Sequence, residues 1–439
     1  MKAFVTVGCA LSAAAALAAP HVDQDAVTLT QDGSRVATIA YTLRDEPAVV
    51  TMEIQTNTLD NAEGDWVTVP ELCDFRGDVN KCIEPGPRAI TWNPVEEWPG
   101  KAIRHGKVRA LVTAWPTNNP PDVVLVDLPT GDVRFFRSLE ALPGGPGNDA
   151  YKVNGLVMKR CHAAGVPFCM GSTSVEEGRP AASTGYHTEE SRMGTLSADY
   201  YLALYEFTVG QYAALTSQAA QPVTAANCLP KSSTTWNQLR GNGSGDNDWP
   251  AKGHAVSASS VMGLLRARVG EMLEFDLPTS AQWEFACRAG SQLPYINGAR
   301  YKDPAQPSDP SMPRYKCGKN ASWNNTNADG AAHPVGTVTE TVNPINAWGF
   351  SDMLGNLSEF VLDHMTNYPA NHDFENGPAV GQNDHTYIKT NHRMMRGGNF
   401  AMAPTDARSA RVCGWSADNA AGDYPVRSGF RVCMPAVIR

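Results

Sequence analysis

Gly349-Phe350-Ser351-Asp352-Met353-Leu354-Gly355-Asn356-Leu357-Ser358-Glu359-Phe360 is the most informative segment of the chain. An apolar run breaks at Gly355-Asn356, a turn signal. It resumes with Leu357 and Phe360 flanking a single acid, Glu359. A lone carboxylate beside a glycine-containing bend, where several carbonyls converge, suits a hard cation such as calcium. The plain alternative is a turn whose glutamate caps a backbone or pairs with a base.

On the N-terminal side, Leu277-Pro278-Thr279-Ser280-Ala281-Gln282-Trp283-Glu284-Phe285-Ala286-Cys287-Arg288-Ala289-Gly290 carries an N-cap at Thr279 and a capping-box partner at Gln282. This predicts a helix over 279–288 with Trp283 and Ala286 turned inward and Glu284 in a structural hydrogen-bonding role. Arg396-Gly397-Gly398-Asn399-Phe400 and Gly429-Phe430-Arg431 follow downstream, and Phe168-Cys169-Met170-Gly171-Ser172 precedes. Together, and in this order, these segments resemble the signatures of the formylglycine-generating enzyme (sulfatase-modifying factor) family. Ala198 to Tyr212, a strand-like segment running into a helix, is similar to a further family segment. The resemblance covers residues 151–437 and implies a C-type-lectin-like α+β domain with much irregular backbone.

Composition sets the frame. The 439 residues allow two or three domains. A hydrophobic share of 42% supports ordinary cores, while 38 Gly and 31 Pro imply many loops. A formal charge of −9 without a basic block argues against nucleic acid as a partner. Lys2, the apolar run Phe4 to Leu17 and the small-residue site Ala16-Leu17-Ala18 read as a cleaved export signal, with a membrane anchor or a lipoprotein through Cys9 as alternatives. No later stretch is apolar enough to span a membrane, so a secreted or periplasmic protein is expected.

Beyond the signal stand Cys73, Cys82, Cys161, Cys169, Cys228, Cys287, Cys317, Cys413 and Cys433. In an oxidising compartment these are disulfide candidates first, with Cys73/Cys82 and Cys161/Cys169 close enough to close small loops. No metal-binding Cys or His spacing accompanies them.

Residues 22–141 read as a β-sandwich of immunoglobulin or fibronectin type. Val27 to Thr30, Arg35 to Leu43 and Val49 to Thr56 are rich in Val, Ile and Thr, and further strands are predicted at 88–92, 107–114, 122–128 and 131–136. Trp92, Trp98 and Trp115 are assigned to its core, with a sugar-stacking platform as the alternative. A linker is expected at 142–150, a helix from Ser257 to Val269 with Val261, Leu264, Leu265 and Val269 on one face, and loops over 217–250 and 291–347.

The resemblance implies particular sites. Family calcium sites map onto Asn320, Ala321, Asp329 and Ala331, and onto Leu354, Gly355, Leu357 and Glu359, each holding loops rather than doing chemistry. Family enzymes carry a cysteine pair whose thiolates suit Cu(I); those positions are Met402 and Ala407 here, so no catalytic residue is assigned and copper is not expected. Cys413 follows Arg411 one residue beyond the place of a family cysteine that pairs near Cys287, leaving Cys287–Cys413 and Cys413–Cys433 both open. In related lectin-like folds the C-terminal segment presents a ligand surface, which maps to Asn399, Asp406, Ser409, Trp415, Asp418, Asn419, Asp423 and Tyr424. His187, His254, His333, His364, His385 and His392 lack ligand spacing.

The expectation is an exported α+β protein: a leader at 1–18, a sandwich at 22–141, a linker at 142–150 and a sulfatase-modifying factor-like domain at 151–439. Two functions remain open. One is a catalytically degenerate binding module for a glycan, peptide or protein outside the cytoplasm. The other is an oxidase converting a sulfatase cysteine to formylglycine through a non-standard site.

Overall fold

A computed structural model describes residues 18–57, 65–104, 106–176, 178–179, 189, 191–242, 255–270, 272–296, 321–364, 392–416 and 425–439. Residues 1–17, most of the expected export signal, together with Cys317, Asn320, His187, His254, His385 and residues 417–424 lie outside them. The chain divides into two compact units, Met1–Thr117 and Asn118–Arg439.

The first unit is two antiparallel sheets over one core. Ala37–Arg44 pairs with Thr28–Gln31 and His21–Val22 on one side and Gly86–Trp92 on the other, and Phe75–Gly77 closes the edge. Ala48–Asn57 centres the second sheet, joined by Trp66–Thr68, Cys82–Ile83 and Val108–Pro116. Period-two alternation puts Ala37, Ile39, Tyr41 and Leu43 into the core, where they meet Val50, Met52, Ile54 and Trp92. Trp92 is buried, packs against Trp98 at 6.1 Å between ring centroids, and donates its indole N–H to Glu97.

The second unit begins earlier than the sequence implied. Val123–Asp127 and Val133–Phe136 are strands as expected, but they extend the sheet of Gly155–Cys161, Tyr200–Ala203 and Cys433–Pro435 rather than the sandwich. Val123, Val124 and Val126 are all buried, and such a continuous apolar run carries no pattern saying which sheet receives it. The breaker-rich segment 142–150 is accordingly part of this unit: Leu142 enters its core and Asn148 caps the helix Asp149–Val153.

A second sheet orders Val412–Ser416, His392–Arg396, Ser358–His364 and Ser428–Phe430, the last pair parallel. The helix Ser280–Arg288 packs against both inner strands. Thr279 and Gln282 complete the expected capping box, and Trp283 and Ala286 are buried. The helix Val261–Arg268 also forms, but Leu264 is exposed and only Val261, Leu265 and Val269 of the expected stripe are buried.

Candidate functional site

The turn at 349–360 is shaped by backbone conformations that few residues adopt. Gly349, Asp352, Gly355 and Asn356 all have positive φ. A Cβ on Gly355 would stand 2.2 Å from the Trp323 carbonyl oxygen, so only glycine fits. The Gly355 N–H donates to the Gly397 carbonyl and the Asn356 N–H to the Trp323 carbonyl, each at 2.9 Å. Asn356 then bridges inward, its amide donating to Glu206 at 2.6 Å and its carbonyl oxygen accepting from the His333 N–H at 2.9 Å.

Behind the turn lies a buried charge cluster. Arg431 contacts both carboxylate oxygens of Glu359 at 2.8–3.2 Å and donates to the carbonyls of Ala203, Leu204 and Ser351. Trp283 adds an indole donor to Glu359 at 2.7 Å. Burial, reinforced by neighbouring acids, pushes Glu206 well above the usual carboxylate range, and burial lifts Asp352 to about 7. Sequence reasoning found Glu359 but missed Glu206, Asp352 and the partner role of Arg431. The available signal was an arginine set between Phe430 and Val432 in an apolar segment, a position that demands a buried acceptor.

These contacts bear on which residues could hold calcium. At 354–359 both Glu359 oxygens are engaged by the Arg431 guanidinium, while the neighbouring acid of the same turn, Asp352, is buried with its Oδ1 without a hydrogen-bond partner. At the other set, Asp329 is exposed at a left-handed position and Ala331 is exposed beside it, while Ala321 is buried. The side-chain oxygens of Asn324 and Asn327 are occupied within the loop by Thr326 and by the Asn324 N–H. Among the described residues no group of three or more His, Cys, Asp or Glu side chains is placed to share a metal.

The positions matching the family cysteine pair flank the 3-10 helix Pro404–Asp406. Met402 is half-buried, whereas Ala407 is fully buried in the main core of the unit. The segment is held down by Arg408, which is buried between Glu176 at 2.5 Å and Glu189 at 2.9 Å. Gly178 packs so closely on Thr405 that a Cβ would stand 2.1 Å from its carbonyl oxygen.

No cross-link forms among the described cysteines: Cys73, Cys82, Cys161, Cys169, Cys228, Cys287, Cys413 and Cys433 are free thiols. The Cys287 sulfur faces Ser409 at 3.5 Å, Cys413 the Met395 carbonyl at 3.7 Å, and Cys433 the Gln282 side chain at 3.8 Å, so neither Cys287–Cys413 nor Cys413–Cys433 is present. Strand pairing explains this, because Cys413 opposes Met395 in register while Cys433 lies in the other sheet. Burial pushes the Cys161 and Cys287 thiols up to about 12 and raises Cys413 and Cys433 as well.

The expected ligand surface divides. Asn399 is buried, its amide donating to Ser358 at 3.0 Å and its oxygen accepting from the Ala401 N–H. Ser409 is buried too, bonded to the Pro294 carbonyl. Both are therefore corrected from surface to scaffold: two left-handed glycines, Gly397 and Gly398, turn the chain inward just before Asn399. Asp406 stays partly exposed beside Arg411 at 3.5 Å. Trp415 lies in strand Val412–Ser416 opposite Arg393. Asp418, Asn419, Asp423 and Tyr424 lie outside the described residues.

The model of the family described as "Sulfatase-modifying factor enzyme 1-like domain" matches residues 164–436. Among solved structures, the chain is similar to PvdO from Pseudomonas aeruginosa at 18% identity, covering 66% of this chain and 97% of that one with a TM-score of 0.45. It is also similar to Treponema denticola variable protein 1 at 17% identity, covering 64% and 95% with a TM-score of 0.42. No curated protein matches the sequence significantly.

Proposed function

The chain belongs to the sulfatase-modifying factor enzyme 1-like family, and on that basis we propose that it is a catalytically degenerate member, an exported binding module for a glycan, peptide or protein outside the cytoplasm. The observation that carries this reading is the environment of position 407. An alanine stands there, fully buried in the core, with Met402 as its counterpart. Copper-dependent oxidation of a substrate cysteine calls for a pair of accessible thiolates. Cys287, Cys413 and Cys433 are instead buried, separate and held as neutral thiols at physiological pH.

The binding reading rests on the partly exposed Asp406 and on the polar and aromatic composition of the C-terminal segment, a suitable mix for sugars or peptides. Calcium at Asp329, with the carbonyls of Ala321 and Ala331, belongs to the same proposal as a loop-holding ion. Export is proposed from the leader sequence.

The test is to incubate the purified mature protein with Cu(I), oxygen and a Cys-x-Pro-x-Arg peptide, and to look for the aldehyde by mass spectrometry. The expected result is no aldehyde, beside a formylglycine-generating enzyme that turns over in the same assay. Aldehyde formation abolished in a Cys413→Ser/Cys433→Ser variant would overturn the proposal in favour of an oxidase with a relocated thiol site.

A further inference from the structure

We propose that the first unit carries a binding face of its own, the outward side of the sheet centred on Ala48–Asn57, and that its ligand is an uncharged glycan chain. Strand alternation fixes what stands there. Val50, Met52 and Ile54 turn into the core together with Ala110 and Val112 of the strand Val108–Pro116. Their neighbours Thr51, Glu53, Gln55, Arg109 and Trp115 therefore turn away from it. Trp115 thus leaves the core that the sequence assigned to it, unlike Trp92. Trp66, paired with Asn57 on the other side of the central strand, joins it on the outward side.

The unit's other sheet supplies the contrast. Its outward positions Thr38, Ala40, Ala89 and Thr91 are small and exposed, an ordinary solvated face. On the second sheet Thr51 and Gln55 are only 7% and 8% exposed, and they belong to bonds that run from strand to strand. The Trp115 indole N–H donates to the Thr51 hydroxyl at 2.9 Å, and Arg109 Nε donates to Gln55 Oε1 at 2.9 Å. The Gln55 amide donates to the Thr68 hydroxyl at 3.3 Å, which donates to Glu53 at 2.9 Å. The Arg109 guanidinium also lies 4.2 Å from the centroid of the Trp66 ring. These side chains are fixed before a ligand arrives, which lowers the ordering cost of binding.

The ligand class follows from the chemistry. An indole is a flat apolar surface suited to the C–H face of a sugar ring, and the hydroxyl, amide and guanidinium groups around it suit sugar hydroxyls. Glu53 and Arg109 are the only charged residues at the outward positions of the two long strands. They are linked through Gln55 and Thr68, so their charges cancel and the face matches an uncharged partner. Trp66 opposes Asn57 and Trp115 opposes Val49, near opposite ends of the central strand and about 25 Å apart at the rise of a β-strand. An extended chain spans that distance; a single sugar does not. The inference concerns the first unit alone and does not depend on the reading of the second.

Isothermal titration of the full mature chain with cellohexaose, xylohexaose, mannohexaose and N-acetylchitohexaose tests it, with oligogalacturonate as the charged counterpart. The expected result is binding of at least one uncharged oligosaccharide, weakened about tenfold or more by Trp66→Ala and by Trp115→Ala. Thr91→Ala, on the plain face of the other sheet, is expected to leave it unchanged. Binding of none of the uncharged chains, or tighter binding of oligogalacturonate, would overturn the proposal. Binding equally strong in both tryptophan variants would also overturn it, by placing the glycan elsewhere on the chain. If Trp115→Ala fails to fold, Trp66→Ala, in the short strand Trp66–Thr68, decides alone.

Discussion

Arg396 stands 2.7 Å from Glu284 with both side chains fully buried, joining the strand His392–Arg396 to the helix Ser280–Arg288. Glu284 also holds Arg288 at 2.7 Å and accepts the Gly171 N–H at 2.8 Å, so one carboxylate ties three elements together.

Removing that carboxylate leaves two guanidinium groups uncompensated. Burial alone would raise the Glu284 pKa, but Arg288 and Arg396 outweigh it and hold the carboxyl below its ordinary value. Its stabilising contribution is therefore fully present above the unfolded value of about 4.3 and is lost as pH falls through the lowered folded value. Glu284→Gln should cost about 3–5 kcal/mol at neutral pH. Urea unfolding of both proteins from pH 7 down to pH 3 should show the gap narrowing in acid. A gap independent of pH would contradict the assignment.

Glycine at 355 is demanded by space as well as by φ, whereas Gly290, with φ +84, has nothing within 4 Å of where a methyl group would sit. Gly290→Ala should cost only the left-handed penalty of about 1–2 kcal/mol. Gly355→Ala must in addition push the Trp323 carbonyl away, and should show a clearly larger fall in Tm or fail to fold. Equal losses in calorimetry would mean that the close approach is absent.

The thiols should divide by burial. In native protein, iodoacetamide followed by peptide mass spectrometry should modify the half-buried Cys169 and leave Cys161, Cys287, Cys413 and Cys433 unmodified. After denaturation without reductant, all of them should react. Failure of Cys287 or Cys413 to react at that stage would show a cross-link and contradict the free-thiol arrangement.

Much of the fold was legible in the sequence because it was written in local chemistry. Thr279 and Gln282 announce a helix start through their own hydrogen bonds, and the alternation from Ala37 to Leu43 announces a half-buried strand. The Gly355-Asn356 turn and the loss of cysteine at 402 and 407 are likewise readable residue by residue. The candidate site was less legible. Asn399 and Ser409 have the composition of a binding surface, yet Gly397 and Gly398 turn this segment into the interior.

The family, the α+β class and the local elements could thus be read without coordinates, since caps, turns and alternation depend on neighbours a few residues away. The partners could not, because they come from distant parts of the chain. Glu359 and Arg431 are separated by 72 residues, and Glu206 and Asn356 by 150. The same carboxylate at Glu359 suits a calcium ion or a guanidinium equally well by type. Its meeting with a guanidinium depends on strand Ser428–Phe430 lying parallel beside Ser358–His364 and delivering Arg431 behind it, and that placement follows from how the strands pair.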